Sequence, residues 1–578
     1  MTKHMTLHIK GYVKESILAP LFKMLEASFD LLVPLVMAAI INVGIANSDT
    51  PYILRQCGIL LVLAAIGLVC SITAQYYASK AAVGYATGLR SALFGHVQRL
   101  GFSEMDTIGT STLITRMTSD INQVQNGLNL FLRLFLRSPF IVFGSLVMAF
   151  WVNRDAALVF VVVIPVLSLA VFGIMLLTMP LYKKVQGRLD QVLGTTRENL
   201  SGVRVVRAFN KEQAEISRFE TANELLTKLQ LKVGRLSGLM NPVTYVIINL
   251  AIIAVLYTGA VQVNIGALRQ GDVIALVSYM GQILIELVKL ANLIIQITKA
   301  AACAGRVQAV FKTEAAMNFP YVGANSVRMD SEEAVRFERV SLAYSKAGDN
   351  SLTDISFHAK RGQVIGVIGG TGSGKSSLVN LIPRFYDATQ GEVLLFGRPV
   401  KEYPKQELRR LVGVVMQKAL LFSGTIRSNL LVGDENATDE ALWHALSLAQ
   451  AEGFVKEKGL MLEDPVEQGG RNLSGGQKQR LTIARAILRK PEILILDDSA
   501  SALDYATDAA LRKALGTLPS GTTVFIVSQR ASSIKHADQI LVLDDGRIAG
   551  AGTHDELLVS CPVYQEIYES QYGKEERM

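Results

Sequence analysis

The run Val364-Ile365-Gly366-Val367-Ile368-Gly369-Gly370-Thr371-Gly372-Ser373-Gly374-Lys375-Ser376-Ser377 decides what the C-terminal half of this chain is built around. It opens as an apolar, strand-like segment. The spacing G-x-x-x-x-G-K-S follows from Gly369 to Ser376, and Leu378, Val379, Leu381 and Ile382 continue it with the spacing of an apolar helix face. Strand, glycine-rich loop and helix in this order make a P-loop. The glycines let backbone N–H groups wrap phosphates, Lys375 reaches the β- and γ-phosphates, and Ser376 reaches a Mg2+. Gly369, Thr371, Gly372, Ser373, Gly374, Lys375, Ser376 and Ser377 are therefore the expected nucleotide contacts. A chance glycine-rich turn has no reason to carry the strand before it and the helix after it.

Two further stretches extend the site. Ile493-Leu494-Ile495-Leu496-Asp497-Asp498 is an apolar strand ending in two carboxylates, with Asp497 placed to hold Mg2+ directly or through water. Between it and the P-loop lies Leu473-Ser474-Gly475-Gly476-Gln477, opening a basic helix over Lys478–Arg489. A serine and two glycines at a helix start form a second anion site, although Ser-Gly-Gly alone is a common turn.

The rest of the chain is a different material. Of 578 residues, 50% are hydrophobic and only 19% charged, and the mean hydropathy is +0.31. That excludes a disordered chain and places part of it in lipid. Apolar stretches recur at Ile17–Ala46, Tyr52–Ala78, Leu128–Val152, Ala156–Met179, Pro242–Val263 and Val273–Ile297. Each contains about the 20 residues that cross ~30 Å of hydrocarbon, so six transmembrane helices are expected. The first run is too long for a signal-peptide core, and Met1–Lys14 reads as a short basic amphipathic segment. Four scattered cysteines give neither a disulfide framework nor a zinc site.

A net charge of +8 suits nucleic acid or a membrane protein with a positive inner side. Position decides. The short loops Asn47–Pro51, Asn153–Asp155 and Asn264–Asp272 have Arg154 and Arg269 as their only basic residues, whereas Lys80–Asp120 and Tyr182–Arg235 are long and basic. The long loops and both termini are expected in the cytoplasm, and nucleic acid is not an expected partner. Tyr52–Leu100 has few helix breakers and as one helix would run ~70 Å, so the spans should continue beyond the bilayer. The expected domains are a transmembrane domain over 1–312, a linker over 313–334, a nucleotide-binding domain over 335–570 and a charged tail over 571–578.

In this order and spacing the motifs closely resemble those of the ABC exporters, and nearly the whole chain resembles a half-transporter of that family. The fold implied is an all-α domain of six transmembrane helices with long cytoplasmic extensions, then an α/β P-loop ABC nucleotide-binding domain. The resemblance makes Ser474, Gly475, Gly476 and Gln477 the signature that contacts ATP. It makes Tyr344 the aromatic that stacks on adenine, and Gln417 the glutamine that touches Mg2+ and senses the γ-phosphate. Ser501-Ala502-Leu503-Asp504 resembles the loop that crosses to the partner domain. Met105–Ser111 and Val205–Glu212 resemble coupling helices.

Two positions depart from the family pattern. The residue after Asp497 is usually Glu, the base or polariser for the attacking water; here it is Asp498, one methylene shorter. The switch histidine should follow the strand Val524–Ser528; here the residue is Gln529, and none of the seven histidines stands there. Glutamine can bond a phosphate but carries no charge and shuttles no proton. ABC domains pair head to tail, so each ATP lies between one P-loop and the other chain's signature. Intact Ser474–Gln477 with altered Asp498 and Gln529 resembles the degenerate-site subunit of bacterial heterodimeric multidrug exporters. The implied partners are a second half-transporter, the lipid bilayer and a hydrophobic or amphipathic small molecule; the cofactors are ATP and Mg2+, and the location is a bacterial cell membrane. The alternatives are a slow homodimeric exporter of lipid or peptide and a regulatory, ATP-clamping subunit. In the sixth apolar segment Glu286 and Lys289 share a helix face. Glu286 either faces the substrate cavity or pairs with Lys289.

Overall fold

The structure, a computed structural model, describes residues 10–320, 331–344, 349–519 and 521–572. Most of the basic N-terminal segment, the middle of the expected linker and the end of the expected tail lie outside the described residues. The chain forms two compact units: Met1–Gln98 with Ser111–Thr313, and Arg99–Thr110 with Glu314–Met578.

Among the described residues six helical spans are long and apolar enough to cross a membrane: Val13–Ile45, Thr50–Val97, Thr110–Val152, Arg154–Ala208, Glu212–Asn264 and Gln270–Lys312. The second, fourth and fifth run 48, 55 and 53 residues, which at 1.5 Å per residue is ~70–80 Å. The expected overrun of the bilayer is therefore present. Asp49 caps the second span by accepting from the Tyr52 N–H, and Asn153 caps the fourth through Ala156. Small side chains let the helices approach closely. Ala74, Ala78, Ala81, Ala82 and Ala86 of the second span are all buried, and a Cβ added at Gly127 would stand 2.1 Å from that of Ala300 on the sixth span. Large apolar side chains such as Leu61 and Leu169 point outward, the arrangement a lipid solvent selects.

The second unit is an α/β domain. Its strands are β1 (Glu333–Leu342), β2 (Leu352–Lys360), β3 (Val364–Gly369), β4 (Gln390–Leu395), β5 (Val412–Val415), β6 (Ile493–Asp497), β7 (Thr523–Val527), β8 (Gln539–Asp544) and β9 (Arg547–Gly552). Strands β2, β1 and β4 make an antiparallel sheet whose fourth member is the short Arg398–Pro399. The six-stranded sheet has the order β9-β8-β3-β7-β6-β5, and Gly424–Thr425 pairs with Pro465–Val466 in a small two-stranded sheet. The six-stranded sheet is parallel except for β9. Parallel strands are covered on both faces, and all of Ile493–Asp497 and Thr523–Val527 is buried. The helices that frame the site are α1 (Lys375–Leu381), α2 (Gly475–Leu488), α3 (Tyr505–Leu515) and α4 (Pro562–Tyr572).

The segment Arg99–Thr110 packs within this unit. Its short helix Phe102–Ile108 sets Phe102 against Phe385 at 4.5 Å between ring centroids, and Tyr386 donates to Asp106 at 2.7 Å. The first of the two coupling segments is thus docked on the nucleotide-binding fold. The second lies where the fourth span ends at Ala208 and the fifth begins at Glu212.

Candidate nucleotide site

The parallel sheet brings the chemistry together. Its C-terminal edge carries, on adjacent strands, Gly369 at the end of β3, Asp497 at the end of β6 and the residues just past Val527 of β7. Val527 pairs with Asp497 and with Val367, about 30 and about 160 residues away in sequence, so the three loops emerge side by side. A cavity of about 500 Å³ opens there, lined by Thr371, Gly372, Gly374, Lys375, Ser376, Ser377, Gln417, Asp497, Asp498 and Gln529, with Asp349, Asn350, Ser351, Asp545 and Gly546 on its rim.

The loop conformation requires its glycines. Gly374 has φ +95°, and a Cβ there would meet Leu352 Cδ2 and the Ser351 carbonyl oxygen at 2.8 Å. Lys375 is nearly buried and folds back on the loop, donating to the carbonyls of Gly369 at 2.9 Å and Gly370 at 2.6 Å. Burial holds its pKa below the ordinary lysine value, outweighing the nearby Asp498 and Asp497 carboxylates. Ser376 Oγ donates to Asp497 Oδ1 at 3.0 Å. Burial, helped by the neighbouring Asp498 charge, pushes the Asp497 carboxyl up, while the Ser376 bond and Lys375 oppose it. A buried carboxylate held up in this way gains a great deal from a cation. Ser376 Oγ and Asp497 are hard oxygen donors on one wall, the type of set that Mg2+ takes beside phosphates.

Asp498 has φ +44°. Its N–H donates to the Val527 carbonyl at 3.0 Å, and its Oδ2 accepts from Gln417 Nε2 at 3.1 Å. That bond uses the Gln417 amide donor and leaves its carbonyl oxygen free as an acceptor or ligand. Gly369 and Ser373 shape the loop without lining the cavity. Tyr344 stands beside the site: its hydroxyl donates to Ser377 at 3.0 Å, its ring meets Tyr386 edge-on at 5.0 Å, and burial raises its pKa.

Ser474–Gln477 do not line this cavity. Ser474 Oγ accepts from the Gln477 N–H at 3.3 Å and Gln477 Oε1 accepts from the Ser474 N–H at 3.0 Å, a reciprocal cap on α2. The loop 501–504 lies alongside, with the Ala502 carbonyl oxygen 3.1 Å from where a Gly476 Cβ would stand.

Sequence reading missed Asp545 and Gly546. They form the turn between β8 and β9, and reach the P-loop because Leu543 pairs with Gly369. The Asp-Gly pair signals a hairpin turn, but nothing local gives the strand order that puts it there. Sequence reading offered Lys289 as a partner of Glu286 but missed Arg137, Ser138 and Asp30. In the first unit Glu286 Oε1 accepts from Arg137 at 2.7 Å and from Lys289 at 2.9 Å, and its Oε2 accepts from Ser138 at 2.8 Å. Arg137 reaches Asp30 at 3.0 Å as well. The Glu286–Lys289 pair is formed, inside a four-charge cluster that lines a cavity of about 230 Å³.

These arrangements define a membrane domain fused to an ATP-binding domain. Residues 16–287 match the model of the ABC transporter transmembrane region and residues 352–501 that of the ABC transporter family. An uncharacterized ABC transporter ATP-binding protein of Mycobacterium tuberculosis is 37% identical over 577 residues, covering 98% of this chain and 97% of that protein. The uncharacterized ABC transporter ATP-binding protein YfiB of Bacillus subtilis is 35% identical, covering 98% of both. The probable multidrug resistance ABC transporter ATP-binding/permease protein YheH of Bacillus subtilis is 32% identical, covering 84% of this chain and 72% of that protein. Among solved structures, a bacterial Atm1-family ABC exporter with ATP bound superposes with a TM-score of 0.79 at 22% identity, over 97% of this chain and 99% of the other. The chain belongs to the ABC transporter family. It is a multi-pass membrane protein whose ATPase domain couples ATP hydrolysis to transport, with the fold of an exporter half-transporter.

Proposed function

We propose that this chain is the degenerate-site subunit of a heterodimeric exporter in a bacterial cell membrane. One observation carries the reading: the cavity that holds the P-loop is lined by Asp498 and Gln529 where the family pattern has Glu and His. The chain binds ATP at Gly369–Ser377, with Tyr344 beside the base. Ser376 and Asp497 would hold Mg2+ there, with Gln417 as a further oxygen donor. Bound there, Mg2+ neutralises phosphate charge. Asp498 is too short to polarise water well, and Gln529 bonds the γ-phosphate without supplying charge. The chain's own site therefore holds ATP more than it splits it. Ser474–Gln477, being remote from this cavity, complete the partner's competent site. At the turn between the fourth and fifth spans, Val205 and Phe209 are 60% and 71% exposed, an apolar tip suited to the partner's nucleotide-binding domain.

The basic long segments put both termini in the cytoplasm. The substrate class is a hydrophobic or amphipathic drug-like molecule, the reading supported by the name of the YheH relative. Glu286 enters the cavity as the acid that fixes Arg137 and Lys289, while Asp30 and Lys289, whose side chains are 44% and 45% exposed, are what a guest meets first. The test is to purify the tagged chain from its own membranes and reconstitute what comes with it. A stoichiometric second half-transporter with Glu and His at the corresponding positions, and ATP-driven uptake of an amphipathic dye into inside-out vesicles, are expected. A lone homodimer with full turnover overturns the heterodimer, and dye exclusion without transport overturns the substrate class.

A further inference from the structure

The loop that carries Gln529 is gripped from behind by a residue that no motif includes. Helix α4 is anchored by Tyr564, fully buried, whose hydroxyl lies 2.8 Å from His554 Nδ1. At its far end, Gln571 Nε2 donates to the Gln529 carbonyl at 2.7 Å, and Gln571 Oε1 accepts from the Ala531 N–H at 2.9 Å. One amide therefore brackets Arg530. Both backbone groups need it: β7 has ended at Val527, and Ala531 is the first residue of a short helix whose opening N–H groups have no partner within that helix. Arg530 reaches the other way. Its guanidinium donates to the carbonyls of Leu503 at 3.4 Å and Ser501 at 3.5 Å and lies 5.0 Å from the centre of the Tyr505 ring. The loop 528–531 is thus tied to α4 on one side and to the loop 501–505 on the other.

We propose that Gln571 is a positioning residue of the ATP site, fixing the backbone from which Gln529 meets the γ-phosphate and passing the position of that loop through Arg530 to residues 501–505. The inference rests on the reading of Gln529 as a phosphate contact. The Gln529 side chain takes its direction from the backbone that Gln571 holds at its own carbonyl, so losing the clamp lets Gln529 sample orientations that miss the phosphate.

The test uses the full-length transporter in lipid nanodiscs. Azido-ATP with Mg2+ is loaded and diluted, and the label retained is read on this chain's own gel band. Gln571→Ala should release nucleotide about threefold to tenfold faster, the range one or two neutral hydrogen bonds carry. Gln571→Glu keeps the acceptor and the shape but loses the donor to the Gln529 carbonyl, and should behave like Gln571→Ala. Gln529→Ala should also release faster, and the double variant no faster than Gln529→Ala alone. Retention unchanged in both Gln571 variants overturns the proposal. So does an effect that multiplies with Gln529→Ala, which marks simple loosening of α4. Lys375→Ala, run beside them, should lose most of its labelling, in line with an affinity weakened about 10- to 100-fold; if labelling is unchanged, the nucleotide-site reading fails rather than the clamp.

Discussion

Replacing Asp498 tests how the two ATP sites divide the work. The Asp498 backbone is fixed by its bond to Val527 at 3.0 Å and by its place directly after β6, so side-chain length alone sets how far the carboxylate reaches. Glutamate adds one C–C bond, about 1.5 Å. A misplacement of ~1 Å can cost on the order of 10²-fold in rate. If the short carboxylate already forfeits most of that, Asp498→Asn removes little, and total turnover should fall by no more than about twofold to threefold. Asp498→Glu restores reach and should raise hydrolysis at this chain's own site by about tenfold or more. The gain is tempered because φ +44° suits Asp better than Glu, at a cost of about 1 kcal/mol in stability. Phosphate release from the reconstituted transporter gives total turnover, and conversion of nucleotide retained on this chain's band gives the own-site rate. Abolition of total turnover by Asp498→Asn would show that this chain's site is the catalytic one. An Asp498→Glu variant with unchanged own-site hydrolysis would refute the argument from reach.

Lys375→Ala should weaken ATP binding at this chain by about 10- to 100-fold, the value of charge-assisted bonds to phosphate, and leave membrane insertion intact; azido-ATP labelling and membrane fractionation check both. Ser474→Ala should reduce total turnover by on the order of 10²–10³-fold through the partner's site while this chain's own labelling persists, and equal loss of both would overturn the head-to-tail assignment. His554 should give the domain an acid-sensitive stability. Burial, with Lys535 adding to it, holds its pKa below the ordinary value, so the unfolded chain takes up the proton first. The contribution is full above about pH 6.5 and is lost as pH falls through the depressed folded value. The apparent melting temperature should drop on acidification, and His554→Gln should flatten that drop; an unchanged slope counts against it.

Much of this protein is legible in the order of its residues. Six spans follow from hydropathy because lipid forces backbone hydrogen bonds to close within each helix, so local composition suffices. The P-loop and Asp497 are legible for a similar reason: a glycine-rich turn between strand and helix is a local device, and its spacing is its geometry. Asp498 and Gln529 stand out as departures only because the surrounding motif fixes their positions.

The tertiary structure decided what those local pieces touch. Asp545 and Gly546 reach the P-loop through the pairing of β8 with β3, a register between residues about 175 apart that no local pattern encodes. Glu286 finds Arg137 and Ser138 on another span, and Arg137 in turn reaches Asp30, whereas sequence spacing offered only Lys289. Phe102 and Asp106 pack on Phe385 and Tyr386, so a segment between two membrane spans belongs to the distant α/β unit. Gln571 reads as the start of a polar tail, yet α4 carries it to the Gln529 loop. In each case the partner is set by strand order or helix packing, which are properties of the whole chain's burial of apolar surface. A sequence states which residues can do chemistry; the packed core states which of them meet.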